Sequence, residues 1–177
     1  MSRRIVILCS LFILLTTAAV QGEDSVALGD FLTAAKIPDG YATATRDIKV
    51  EKKVLGKMII VSKGSEASKA VVSIQSELAS SVPARRAATK AYINVLASTF
   101  TGSGFKIVEK GIPDIEKETF DKPILVDLAF ANADGKKVWT HQSIFFTDKG
   151  FDVQVIADDA DTFASLKKWS MTIKPKP

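Results

Sequence analysis

The stretch from Ile124 to Ala157 constrains the fold more than any other part of the chain. Three apolar-rich runs, Ile124–Ala131, Val138–Phe146 and Phe151–Ala157, are joined by connections too short to hold a helix. Each connection carries a glycine, in Asp134-Gly135 and in Asp148-Lys149-Gly150. Strands this close in sequence pair antiparallel, so the spacing predicts a three-strand meander. Reading Asp134-Gly135 as a two-residue type I′ turn places Phe130 opposite Trp139, Leu128 opposite His141, Val126 opposite Ser143 and Ile124 opposite Phe145. That face is almost wholly apolar, while Asp127, Thr140 and Gln142 gather on the other and meet more water. A three-residue loop at Asp148-Lys149-Gly150 sets Val153 beside Phe145 and Val155 beside Ser143. A two-residue loop there would drive Gln154 and Asp152 onto the apolar face, because one register step flips every side chain, so the meander is self-consistent and its register is expected to hold.

The rest of the chain supplies the layers such a sheet needs. Val54–Val61 and Ala70–Ile74, separated by Lys63-Gly64-Ser65-Glu66, read as a hairpin. A long helix opens at Pro83, whose missing N–H is harmless in a first turn, and stops at Gly102 and Gly104. Its expected core stripe is Ala88, Ala91, Tyr92, Val95, Leu96, Thr99 and Phe100, with Arg85, Arg86, Lys90 and Asn94 on a solvated face. Phe105–Val108 is a further strand. A last helix opens at Asp158 or Asp159, buries Phe163, Leu166 and Trp169, and carries Lys167 and Lys168 in its final turn, where the dipole favours cations. Met171–Ile173 adds a closing strand. Ahead of all this, Val26, Leu28, Phe31, Leu32 and Ala35 fall at helical spacing and predict a short helix ended by Pro38-Asp39-Gly40. Tyr41–Lys53 reads as a looser polar stretch. The class is α+β: an antiparallel sheet of meander plus hairpin with helices packed on it.

The first residues predict export. Arg3 and Arg4 precede an apolar run from Ile5 to Leu15, broken only by Ser10 and shorter than the roughly 20 residues a membrane span takes. Small residues follow, and Val20-Gln21-Gly22 suits signal peptidase, so the expected domain plan is a signal peptide over 1–22 and one globular domain over 23–177. A cut after Ala19 and an uncleaved anchor are the alternatives. Cys9, the one cysteine, lies in the apolar run and leaves with it; the mature domain then has no disulfide, thiolate metal site or cysteine nucleophile. Loss of the two arginines brings the 24 basic and 20 acidic residues close to balance, which argues against nucleic acid as partner.

No stretch spells out a catalytic, metal or cofactor motif. His141 is the sole histidine, without a second ligand at metal spacing, and reads as a buried structural residue. Its replacement by Gln is expected to cost about 1 kcal/mol. Asp158, Asp159 and Asp161 lack the glycine and closing glutamate of a calcium loop and read as helix caps. Gly102-Ser103-Gly104 follows a helix, so its amides cannot cradle a phosphate. Serines are plentiful, yet none occupies a recognisable nucleophile elbow. Arg46, Lys49, Lys52, Lys53, Lys57 and Lys63 cluster around the first hairpin; such a stripe can contact anionic lipid or polysaccharide, though a solvated edge guarded against strand pairing explains it better.

The order of elements resembles the PsbP-like and DcrB-like family of small exported or lumenal proteins. Ile37-Pro38-Asp39-Gly40-Tyr41 is similar to the family's early turn, and the resemblance continues from Val138-Trp139-Thr140-His141-Gln142 through Phe151-Asp152-Val153-Gln154-Val155 to Asp161-Thr162-Phe163. It implies an α/β/α sandwich and a non-catalytic accessory or binding role, with no shared functional residues. The expected function is therefore an exported, periplasmic or secreted, non-enzymatic module whose partner is another envelope or secreted protein, without cofactor. The alternative is a small exported hydrolase or lipid-handling enzyme whose site is assembled from distant residues. The two differ in whether an acid, His141 and a serine meet in one cleft.

Overall fold

A computed structural model of the chain describes residues 25–29, 32–50, 53–63, 68–75, 81–146 and 150–176. The expected signal peptide lies outside them, as does Lys52 of the basic cluster. The described residues form an α+β fold in the order β1 (Ser25–Leu28), β2 (Leu32–Ala35), β3 (Ala42–Val50), β4 (Lys53–Ser62), β5 (Lys69–Gln75), α1 (Val82–Gly102), β6 (Lys106–Gly111), β7 (Ile124–Ala131), β8 (Lys137–Phe145), β9 (Phe151–Ala157), α2 (Ala160–Ser170) and β10 (Lys174–Pro175). Seven strands make one antiparallel sheet, β3-β4-β5-β9-β8-β7-β6, and β1-β2-β10 make a small second one. The hairpin of β4 and β5 and the meander of β7, β8 and β9 are thus joined edge to edge through the β5–β9 pair.

Strand alternation turns this sheet into a partition with a core on each side. Ile59, Val61, Ala70, Val72, Phe151, Val153 and Val155 share one face and pack against Leu166 and Trp169 of α2 and Leu28, Leu32 and Ala34 of the small sheet. Ile124, Val126, Leu128, Phe130 and Ile144 point the other way, to Ile93 and Leu96 of α1 and to Ile115 and Phe120 from the β6–β7 connection. Ser81 caps α1, and Asp159 caps α2 by accepting from the Thr162 amide at 2.8 Å. The acidic start of α2 is therefore a cap, and Gly104, with φ of 84°, sits in the stop that follows α1.

Several expectations are corrected; the closing strand expected at Met171–Ile173 forms instead at Lys174–Pro175, after a turn that follows α2. Ser25–Leu28 and Leu32–Ala35 are two strands, not a helix, and Phe31 of the expected stripe lies outside the described residues: Gly29, with φ of 67°, sits between the strands, and β10, from the far end of the sequence, pairs with β2. Residues 42–50, read as a loose stretch, form edge strand β3, which needs no continuous apolar pattern because only β4 pairs with it. In α1 the buried residues are Thr89, Ile93 and Leu96, while Ala88, Ala91 and Thr99 are exposed; the larger Ile93 takes the seat assigned to the alanines. Arg85 and Arg86 are half-buried, not solvated, with the Arg85 guanidinium 5.4 Å from the Phe146 ring centre.

The meander register is corrected as well. Phe130 faces Val138, Leu128 faces Thr140, Val126 faces Gln142 and Asp127 faces His141. Asn132 and Lys136 close a three-residue loop in which Gly135, with φ of 80°, holds the left-handed position. The Asn132 side chain accepts from the Asp134 and Lys136 amides and fixes this longer turn. One extra loop residue moves β8 one place along β7, so the expected partners each shift by one. At the next turn the partners are Phe145 with Phe151 and Ser143 with Val153, a shift of two that preserves the faces. Residues 147–149 lie outside the described residues. The face expected to meet water is also corrected in part: Thr140 and Gln142 are buried on the α1 side, while Asp127 lies on the other face and is partly exposed.

Candidate functional site

The corrected register brings an acid, the histidine and a serine together. His141 and Ser143, two apart on β8, point to the α2 side; Asp127 of β7 is the cross-strand partner of His141. Asp127 Oδ1 lies 2.8 Å from His141 Nδ1, and His141 Nε2 lies 2.9 Å from Ser143 Oγ. Lys167 reaches down from α2 and donates to both Asp127 oxygens at 2.8 and 2.9 Å. Burial works against the Asp127 carboxylate, but the bonds from His141 and Lys167 outweigh it and hold the carboxyl below its ordinary range. An ionised carboxylate only accepts, so Nδ1 carries the ring hydrogen, and a neutral ring then accepts the Ser143 hydroxyl at Nε2. Lys167, Asp127, His141 and Ser143 form one relay running from α2 into the middle of the sheet.

The connectivity is that of a serine–histidine–acid triad, and the surroundings are not. A triad needs its hydroxyl open to substrate and amide donors free to hold an oxyanion. Ser143 is 1% exposed and His141 0%, whereas the Asp127 side chain is 42% exposed, so the acid end faces out and the hydroxyl end is sealed. β8 is a central strand with Ser143 laddered to Leu125 on one side and Val153 on the other, which commits the backbone around it to the sheet. Gly111 on β6 lies opposite Asp127, and a Cβ there would come within 3.3 Å of the Asp127 Cβ, so the glycine leaves room beside the carboxylate. The groove between α1 and residues 112–116, with Lys90, Ile93 and Ile112 among its lining, encloses about 340 Å³ on the opposite side of the sheet. It shares no residue with the relay.

Among the described residues no group of three His, Cys, Asp or Glu side chains is placed to hold a metal. The basic cluster does not form a single stripe. Arg46 pairs with Met58 and Asp47 with Lys57, so Arg46 and Lys57 project from opposite faces of the hairpin, and Asp47 sits among the cations with its carboxylate 3.5 Å from Lys49. The serine of the relay belongs to no sequence motif, since no elbow marks it. Its two-residue spacing from His141 was the available signal, and Asp127 could be added only once the turn length was known. The chain matches no protein-family model and no curated protein.

Proposed function

We propose that the chain is an exported, non-enzymatic accessory or binding protein, active as the domain 23–177 after removal of residues 1–22, and a PsbP-like or DcrB-like sandwich in kind. The observation that carries the reading is the orientation of the relay: its one nucleophile candidate is enclosed in a laddered central strand, and the charged end at the rim is already neutralised by Lys167. Such a relay acts as a brace between α2 and the sheet. The layer order supports the family resemblance, with α1 on one face of the large sheet and α2 on the other. The partner is another envelope or secreted protein, and the half-exposed Asp127–Lys167 rim and the lysines of the β3–β4 hairpin are the charged surfaces it can meet.

The second reading, a hydrolase, draws on the Asp127–His141–Ser143 connectivity itself. Immobilised 23–177 domain exposed to the envelope and secreted fractions of its own cell separates the two. The expected result is one protein retained near equal stoichiometry and retained also by Ser143→Ala. Retention of nothing, together with ester turnover that Ser143→Ala abolishes, contradicts the proposal.

A further inference from the structure

The α1 side of the large sheet holds a second buried polar group, unconnected to the relay. Asp152 on β9 is 6% exposed and Gln142 on β8 0%. Gln142 Nε2 donates to Asp152 Oδ2 at 3.0 Å, while Gln142 Oε1 has no hydrogen-bond partner. The cross-strand neighbours of Asp152 are Ser73 on β5 and Ile144 on β8, and Gln154 follows it on the same face of β9. Tyr92 closes over the pair from α1: burial, and next the Asp152 carboxyl, push its phenol well above the usual value, with Gln142 opposing. No cationic side chain contributes to the electrostatics of Asp152.

A carboxylate sealed from water with one amide donor and no cation is unfavourable, and so is an amide oxygen left unpaired beside it. Both defects have one remedy. A carboxylic acid and a primary amide are complementary, each offering one donor and one acceptor, so a proton on the free Asp152 oxygen would be donated to Gln142 Oε1 and complete a two-bond pair. We infer that Asp152 holds a proton in the native fold, and that its loss releases α1 from the sheet, making the Gln142–Asp152 pair a proton-operated latch beneath that helix. Burial lifts the Asp152 carboxyl to about 7, the Gln142 bond pulling the other way.

The sign follows from comparing closed and opened states. In an opened state, with Asp152 hydrated, the carboxyl returns to its ordinary range near 4. Between that range and 7 the closed state binds more protons, so opening becomes about tenfold more populated per pH unit and levels off above 7. The test is a carbon-13 titration of the Asp152 carboxyl, assigned through bonds, combined with hydrogen exchange of α1 amides corrected for intrinsic rates. The expected midpoint is near 7, with an α1 opening constant that rises about fiftyfold from pH 5 to pH 7. Asp152→Asn, which reproduces the donor–acceptor pattern of the protonated acid, should remove that slope. A midpoint in the ordinary carboxylate range overturns the latch, and the wild-type titration gives this answer whether or not the variant folds. So does an unchanged slope in Asp152→Asn.

Discussion

Trp169→Ala is expected to lower the stability of the domain by about 4 kcal/mol, within the range seen when a buried indole is truncated. Trp169 is 4% exposed and lies at the end of α2 among Leu28, Leu32 and Ile173. Its Nε1 donates to the Ala35 carbonyl at 3.0 Å, and the neighbouring Thr172 hydroxyl accepts from the Ala35 amide at 3.0 Å. Both hydrogen-bonding groups of Ala35 are thus held by the last turn of α2 and the residues just after it, and the small sheet is clamped to the large one through that contact. Truncation leaves a cavity and an unpaired carbonyl together. For a chain of this size the loss corresponds to a fall in melting temperature on the order of 10 °C. Trp169→Phe keeps most of the packing and should cost less than half as much. Urea unfolding of both variants checks the ratio; a Trp169→Ala cost under about 1 kcal/mol would mean that β1 and β2 are not held in this way.

His141→Ala should cost about 3 kcal/mol, more than the roughly 1 kcal/mol that the sequence suggests for Gln at this position. The difference comes from what the ring bonds. One nitrogen meets a carboxylate and the other a serine hydroxyl that is sealed from water, so removal strands Ser143 as well as opening a void. Asp127 loses less, since it keeps Lys167 and partial exposure to solvent. His141→Gln retains one of the two bonds and should fall in between. Chemical denaturation of the two variants against wild type measures the order Ala, Gln, wild type; equal stability for all three would show that the relay contributes nothing to the brace between α2 and the sheet.

Where neighbours in sequence decide the structure, the elements were readable. Ile124–Ala131 and Phe151–Ala157 form strands with those bounds, α1 and α2 follow their Pro83 and Asp159 signals, and the β4–β5 hairpin forms where its apolar runs predict. Where distant partners decide, the pattern misled. Leu28, Leu32 and Ala35 look helical along the chain because their strands are short, and only pairing with Lys174 and Pro175 makes β2 a central strand. The meander failed on one residue of turn: the Asn132 side chain, bonding the Asp134 and Lys136 amides, favours a longer loop than the Asp-Gly pair alone suggests. That residue separates an apolar partner for His141 from an acidic one. The serine at the same site was legible as a spacing, and the acid was not, since cross-strand partners are set by the turn and not by composition. The buried Gln142–Asp152 pair was hidden for the same reason, having been assigned to a solvated face.

The sealed relay is tested most directly by its chemistry toward a small electrophile. A fluorophosphonate probe that labels activated serines, applied to the folded protein and read by peptide mass spectrometry, should leave Ser143 unmodified at times and concentrations that saturate a serine hydrolase. The hydroxyl is 1% exposed and its strand carries no spare amide to stabilise an adduct. Stoichiometric labelling of Ser143 in the native protein, abolished in His141→Ala, would contradict this and make the histidine a base that activates a nucleophile.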